Sequence, residues 1–149
     1  MKTIQFILIS TVTLLFTSMS ANAQNYKTQF PSKMDNDGSI KDSSGTTFIT
    51  ISKDSIIKNH LGEKIAFIDR SGNLVDKNGK ILGKAAKNGD FHNVDGQVEF
   101  TVKDTKDGAY CEVYDKTGKH VLTVPANYKK QASTMAYMHR QQYMFPSKK

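Results

Sequence analysis

Asp69-Arg70-Ser71-Gly72-Asn73-Leu74-Val75-Asp76-Lys77-Asn78-Gly79-Lys80-Ile81-Leu82-Gly83-Lys84-Ala85 is one period of a repeating chain. Gly45, Gly62, Gly79 and Gly96 stand seventeen residues apart. Three residues before each comes an Asx residue: Asp42, Asn59, Asp76 and Asn93. Five before each comes an apolar one (Ile40, Ile57, Leu74, Phe91), and six after comes another (Ile51, Ile68, Ala85, Val102). A fifth copy with inserted residues ends at Asp115, Gly118 and Val124.

The quartets have a direct physical reading. An Asx side chain accepts the backbone N–H two residues on and so starts a type I turn. A glycine in fourth place takes the left-handed conformation without a steric penalty and forms the bulge that closes a hairpin. A second set of turns separates the copies: Asp35 to Gly38, Asp69 to Gly72, Lys87-Asn88-Gly89 and Lys106-Asp107-Gly108. Lys53-Asp54-Ser55 holds the equivalent place with serine for glycine. Two turns per period leave room for two short strands and for no helix. Val98, Phe100 and Val102 show the alternation expected of such strands. A lone hairpin is barely stable, so the copies must bury their apolar columns against one another. The expected fold is all-β: five hairpins of seventeen residues in a closed, pseudo-five-fold ring, since closure removes exposed strand edges. The fifth copy's longer strand, with Tyr110, Cys111, Glu112, Val113 and Tyr114, is the expected seam of that ring.

Outside the repeats the chain changes character. Met1 and Lys2, an apolar run over residues 4–16, and Ala21-Asn22-Ala23 form the pattern of a signal peptide cut before Gln24. That run is short of the roughly 20 apolar residues that a spanning helix needs. The expected locations are therefore the exterior, the periplasm or the cell envelope. Residues 24–36 read as an arm leading into the repeat domain, 37–124. Asp35-Asn36-Asp37-Gly38 looks like part of a calcium loop, but the EF-hand frame would put Lys33 first and Ser44 last, which rules that loop out. Residues 125–149 form a basic tail rich in Met and Tyr. Asn127 is a candidate helix cap there, and Tyr128, Ala132, Met135 and Met138 or His139 recur at helical spacing. A C-terminal helix or extended tail packed against one end of the repeats is expected.

Composition excludes several function classes. The single cysteine, Cys111, allows no disulfide within the chain and is expected to be a buried apolar residue. The net charge of +7 resides largely in the tail. Residues 37–124 hold thirteen Lys plus Arg and thirteen Asp plus Glu, so the repeats are neutral. No basic stripe interleaved with aromatics appears, and nucleic acid is not an expected partner.

The unit at residues 69–85 is similar to those of the secreted five-fold β-flower proteins of Bacteroidetes, with units of the form D-G-x-[IVL]-x-D-x-x-G-x-x-[IL]-G. The resemblance spans residues 35–124. It is close in the third unit and looser in the first, second and fourth, where Ile49, Ala66 and Phe100 replace the glycine seen at Gly83. It implies hairpin petals around a pseudo-five-fold axis, and it brings no activity, cofactor or site residue with it.

Catalytic signals are absent from the sequence. His60, His92, His120 and His139 share no metal-ligand spacing. Gly-x-Ser-x-Gly, His-Glu-x-x-His and P-loop patterns do not occur. No catalysis, cofactor or metal is expected. The expected function is a secreted binding or interaction module for a protein or glycan, with Tyr110, Tyr114 and His92 as candidate binding residues. The alternative is a structural envelope protein that attaches to a surface through its basic tail.

Overall fold

The computed structural model describes residues 31–42 and 44–144. The signal peptide pattern and most of the arm lie outside them. One sheet of eleven strands dominates: β1 (Ser32–Lys33), β2 (Ser39–Lys41), β3 (Thr47–Ile51), β4 (Ile56–Asn59), β5 (Lys64–Ile68), β6 (Asn73–Asp76), β7 (Ile81–Ala85), β8 (Phe91–Asn93), β9 (Val98–Asp104), β10 (Tyr110–Asp115) and β11 (His120–Pro125). From β2 to β11 each strand pairs antiparallel with the next, as short turns require. A 3₁₀ turn, Ala126–Tyr128, then leads into one helix, α1 (Lys129–Met144).

The turns form as their residues dictate. Asp76 Oδ1 accepts the N–H of Asn78 at 2.8 Å and of Lys80 at 2.9 Å, while Gly79 N–H donates to the Asp76 carbonyl at 3.1 Å. Asp42, Asn59, Asn93 and Asp115 each accept the N–H groups two and four residues on in the same way. Ser55, which stands where the other separating turns carry glycine, is left-handed at φ 60° and pays the strain that glycine avoids.

Each hairpin places two period-related residues directly opposite one another on the buried face: Ile40 with Ile49, Ile57 with Ala66, Leu74 with Gly83 and Phe91 with Phe100. Val113 faces Leu122 in the last hairpin. Side-chain size is traded around this layer. A Cβ at Gly83 would lie 2.5 Å from both the Phe91 ring and the His92 carbonyl oxygen, so Phe91 fills the space that Gly83 leaves.

The sheet curls into a nearly closed barrel, and the closing piece corrects the expected seam. The arm supplies it: β1 pairs in parallel with β11, and Met34 bridges to Ile40 of β2. Met34 N–H donates to the Thr123 carbonyl at 2.8 Å, and the Met34 side chain is fully buried. The strand that carries the insertion, β10, is an ordinary wall strand with one register shift at Val113/Tyr114.

The tail is also placed differently from the expectation of a helix at one end. Ala132, Ser133, Thr134 and Met135 are consecutive and at most 1% exposed. Successive helical residues point 100° apart, so α1 is enclosed on every side and runs inside the barrel. It meets walls on opposite sides of the ring order. His139 lies 5.2 Å from the Phe48 ring on β3, and Tyr137 stacks on Phe91 of β8 at 4.6 Å. Arg140 sits 4.7 Å over the ring of Phe100 on β9.

Both ends of α1 are pinned to β9. Lys129 Nζ meets Asp104 Oδ2 at 2.7 Å, and Arg140 Nη2 meets Glu99 Oε2 at 3.0 Å. Eleven helical rises and five strand rises each span about 17 Å, so the two ion pairs fit one antiparallel alignment. Asn127, the expected cap, falls inside the 3₁₀ turn instead. The barrel thus has two rims. The turns that separate the copies form one, with the start of α1 among them; the Asx-x-x-Gly turns form the other.

Candidate functional site

α1 packs chiefly against β9, β10, β11 and β7 and lies away from β4, β5 and β6. That offset leaves a cavity of about 1020 Å³ at the rim where the helix begins. Three separating turns surround it, contributing Ser55, residues 69–72, and Ala86, Lys87 and Gly89. Ile68, Lys84, Ala85 and His92 come from the strands, and Lys129, Lys130 and Gln131 from the helix. Its size is at the upper end for ligand cavities.

The lining is one-sided in charge. Arg70, Lys84, Lys87, Lys129 and Lys130 line the cavity with a single carboxylate, Asp69. Lys84 and His92, paired with each other and alternating with the buried Gly83 and Phe91, do so from the outer side of the wall. The Asp69 carboxylate is committed to its own turn: it accepts from the N–H of Ser71 and Asn73 and from the Asn73 amide, each at 2.9 Å. The Asn73 side chain first, then those backbone bonds, hold it below the ordinary Asp range. Lys129 is held above the usual lysine range by its hydrogen bond to Asp104. The other four cations have no carboxylate within ion-pair distance among the described residues.

Several backbone N–H groups around the mouth are already occupied. Ser55 N–H donates to the Ser52 carbonyl, Gly72 N–H to Asp69 and Gly89 N–H to Ala86. The preceding 3₁₀ turn takes the N–H of Lys129 on the Ala126 carbonyl. Recognition here falls to side chains. The first helical turn also carries no acid, although an acid is what a helix N-terminus favours.

Of the candidate binding residues, only His92 lies at this cavity. Tyr110, Glu112 and Tyr114 alternate with the buried Cys111 and Val113, so they face outward on β10. Lys33 Nζ stands 5.0 Å from the Tyr110 ring, and Lys103 Nζ 5.1 Å from the Tyr114 ring. The Tyr114 hydroxyl donates to Glu112 Oε2 at 2.6 Å, which pushes its pKa up. The structure therefore separates these tyrosines from His92 rather than assembling one site.

Sequence reasoning missed Arg70, Lys84 and Lys87 because it summed charge over the whole repeat region, and it counted Lys129 and Lys130 with the tail. A local count over residues 69–87 gives five cations and two acids; three of those cations, Arg70, Lys84 and Lys87, line the cavity, while Lys77 and Lys80 lie at the opposite rim.

Cys111 is fully buried, with Sγ donating to Asp104 Oδ1 at 3.4 Å. Burial first, and then that carboxylate, push the thiol up to about 11, so it is protonated at neutral pH. Among the described residues no three His, Cys, Asp or Glu side chains are placed to hold a metal ion, and no helix is long and apolar enough to cross a membrane.

Comparison with protein families, with curated proteins and with solved structures gives no match.

Proposed function

We propose that this protein is a secreted, non-catalytic binding module of the cell envelope or exterior, and that it takes its ligand, a glycan or a protein, at the helix-start mouth of the barrel. One observation carries this reading: a wall of paired strands is filled by its own helix yet keeps a large cavity at one end. Rigid strands and short turns hold the lining residues, and such scaffolds commonly carry binding sites.

Membership of the β-flower family, with five equivalent petals about one axis, belongs to the same proposal. The recurrent pairing of Ile40 with Ile49, Ile57 with Ala66, Leu74 with Gly83 and Phe91 with Phe100 supports it. The envelope-attachment alternative has less to stand on. Within the tail, Met135 and Met138 are buried, and Lys129 and Arg140 are paired with the wall.

The test is a glycan and protein array probed with the chain and with Ala86→Trp, which fills the mouth. Ligands retained by the parent should be lost by at least tenfold in the variant at unchanged melting temperature. Equal retention by both would place binding elsewhere.

A further inference from the structure

The mouth's chemistry narrows its ligand class further. We infer that the cavity ringed by Arg70, Lys84, Lys87 and Lys130 binds an acidic oligosaccharide, a sugar chain whose carboxylate or sulfate groups are spaced along it. This rests on the mouth being the binding site.

The cations come from separate segments. Arg70 is on the turn after β5, Lys84 on β7, Lys87 on the turn after β7 and Lys130 on the helix. Point charges distributed in this way suit a ligand with several separated anionic groups. A single compact phosphate is bound differently, by converging backbone N–H groups at a glycine-rich turn or helix start. Here the N–H groups of Ser55, Ser71, Gly72, Gly89 and Lys129 are already bonded within the protein.

Other polyanions fit less well. No Phe, Tyr or Trp lines the cavity, and His92 is its one ring, so the successive stacking that holds single-stranded nucleic acid is missing. An extended peptide can add a strand to a free edge, and an acidic motif is otherwise taken by a cluster of arginines, of which the mouth has only Arg70 among the described residues. Strands β4 to β8, which surround the mouth, are all paired on both sides and offer no free edge. What the mouth presents besides charge is hydroxyl and amide: Ser55, Ser71 and Gln131. The Gln131 Oε1 atom itself is buried without a hydrogen-bond donor among the described residues.

The cluster is also electrostatically unrelieved. Four unpaired cations gather where Lys129, Lys130 and the positive end of a helix meet. Bound anionic groups would remove that repulsion, and affinity should fall steeply with salt.

The experiment is titration calorimetry of the chain at low and high salt with an oligogalacturonate, a sulfated oligosaccharide, the neutral oligosaccharide of matched length, penta-glutamate and inorganic phosphate. Two double variants accompany it: Lys84→Glu with Lys87→Glu at the mouth, and Lys77→Glu with Lys80→Glu at the opposite rim. At least one acidic oligosaccharide should bind, weaken at least tenfold in the mouth variant and stay within twofold in the opposite-rim variant. The uronate and sulfate arms tell which anion it carries. Equal losses in both variants, or no binding by either acidic sugar, overturn the inference. Tighter binding of penta-glutamate makes the partner an acidic peptide, and full competition by phosphate makes the site a compact anion site; each overturns it as well. Binding of the neutral sugar alone, lost in Ala86→Trp, would refute this ligand class and leave the mouth as the binding site.

Discussion

At the rim formed by the Asx-x-x-Gly turns, a side chain added to Gly45, Gly62, Gly79, Gly96 or Gly118 would meet nothing within 4 Å. At the mouth rim, the same addition at Gly38 would collide with the Ile51 carbonyl and come 3.1 Å from the Tyr128 hydroxyl. At Gly89 it would stand 3.3 Å from Val102, while Gly108 is open like the far rim. The two rims use one local turn code for different ends. Far-rim turns are set by their own Asx and Gly residues and project into solvent. Mouth-rim turns fold back over neighbouring strands and the root of the helix, and in doing so they wall a cavity.

That contrast is sharpened most by removing what both rims enclose. A chain ending at Pro125 loses the buried Ala132, Met135, Ala136 and Met138 and leaves Phe91, Phe100 and Phe48 facing a void. It should show no cooperative thermal transition. A sharp melt near that of the full chain would mean that the wall stands without its helix.

The rims themselves are compared by Gly38→Ala and Gly45→Ala. Both positions have positive φ, 84° and 83°, so each substitution carries a backbone penalty of about 1 kcal/mol. Only Gly38→Ala adds overpacking, for a total of about 4 kcal/mol. Urea denaturation of the pair measures the difference; equal losses would erase the distinction between the rims.

A third test probes the half of the core nearer the far rim. Burial drives the His139 pKa from 6.5 down to about 4. Below 6.5 the unfolded chain takes up a proton that the folded one refuses. The stabilisation from neutral His139 is therefore complete above pH 6.5, fades as pH falls and is gone below about 4. It amounts to about 3 kcal/mol at most. The carboxylates held below their ordinary range, among them Asp42, Asp69 and Glu99, keep their contribution down to about pH 5 and lose it progressively below. Stability measured from pH 7 to about 5 should slope downward in the parent and lie nearly flat in His139→Gln. Parallel slopes would show that His139 is not the group responsible.

Much of the wall was legible. Turn residues act through bonds two to four positions away, so Asp76 and Gly79 announce their hairpin without help from the rest of the chain. Alternation along β9 holds for Phe100, which is buried, and for the half-buried Val102, whereas Val98 beside the register shift is exposed. Pairing across the closure was not legible, because Ser32, Lys33 and Met34 carry no turn code and meet β11 some ninety residues on. The helix was visible as a helix but not as an interior one. Ser133 and Thr134, which interrupt its apolar spacing, are nonetheless buried. Of the site, His92 was named for other reasons, while Arg70, Lys84 and Lys87 vanished into a neutral sum and Lys130 was counted with the tail.

By itself the sequence determined the turns, the short strands between them and the apolar column of Ile40, Ile57, Leu74 and Phe91, since each depends on bonds and alternation within a few residues. Tertiary structure alone decided which strand closes the barrel, that the tail becomes its core and where the cations collect. Those depend on the distance between parts of the chain far apart in sequence, and such distances follow from how the whole sheet curls around the helix.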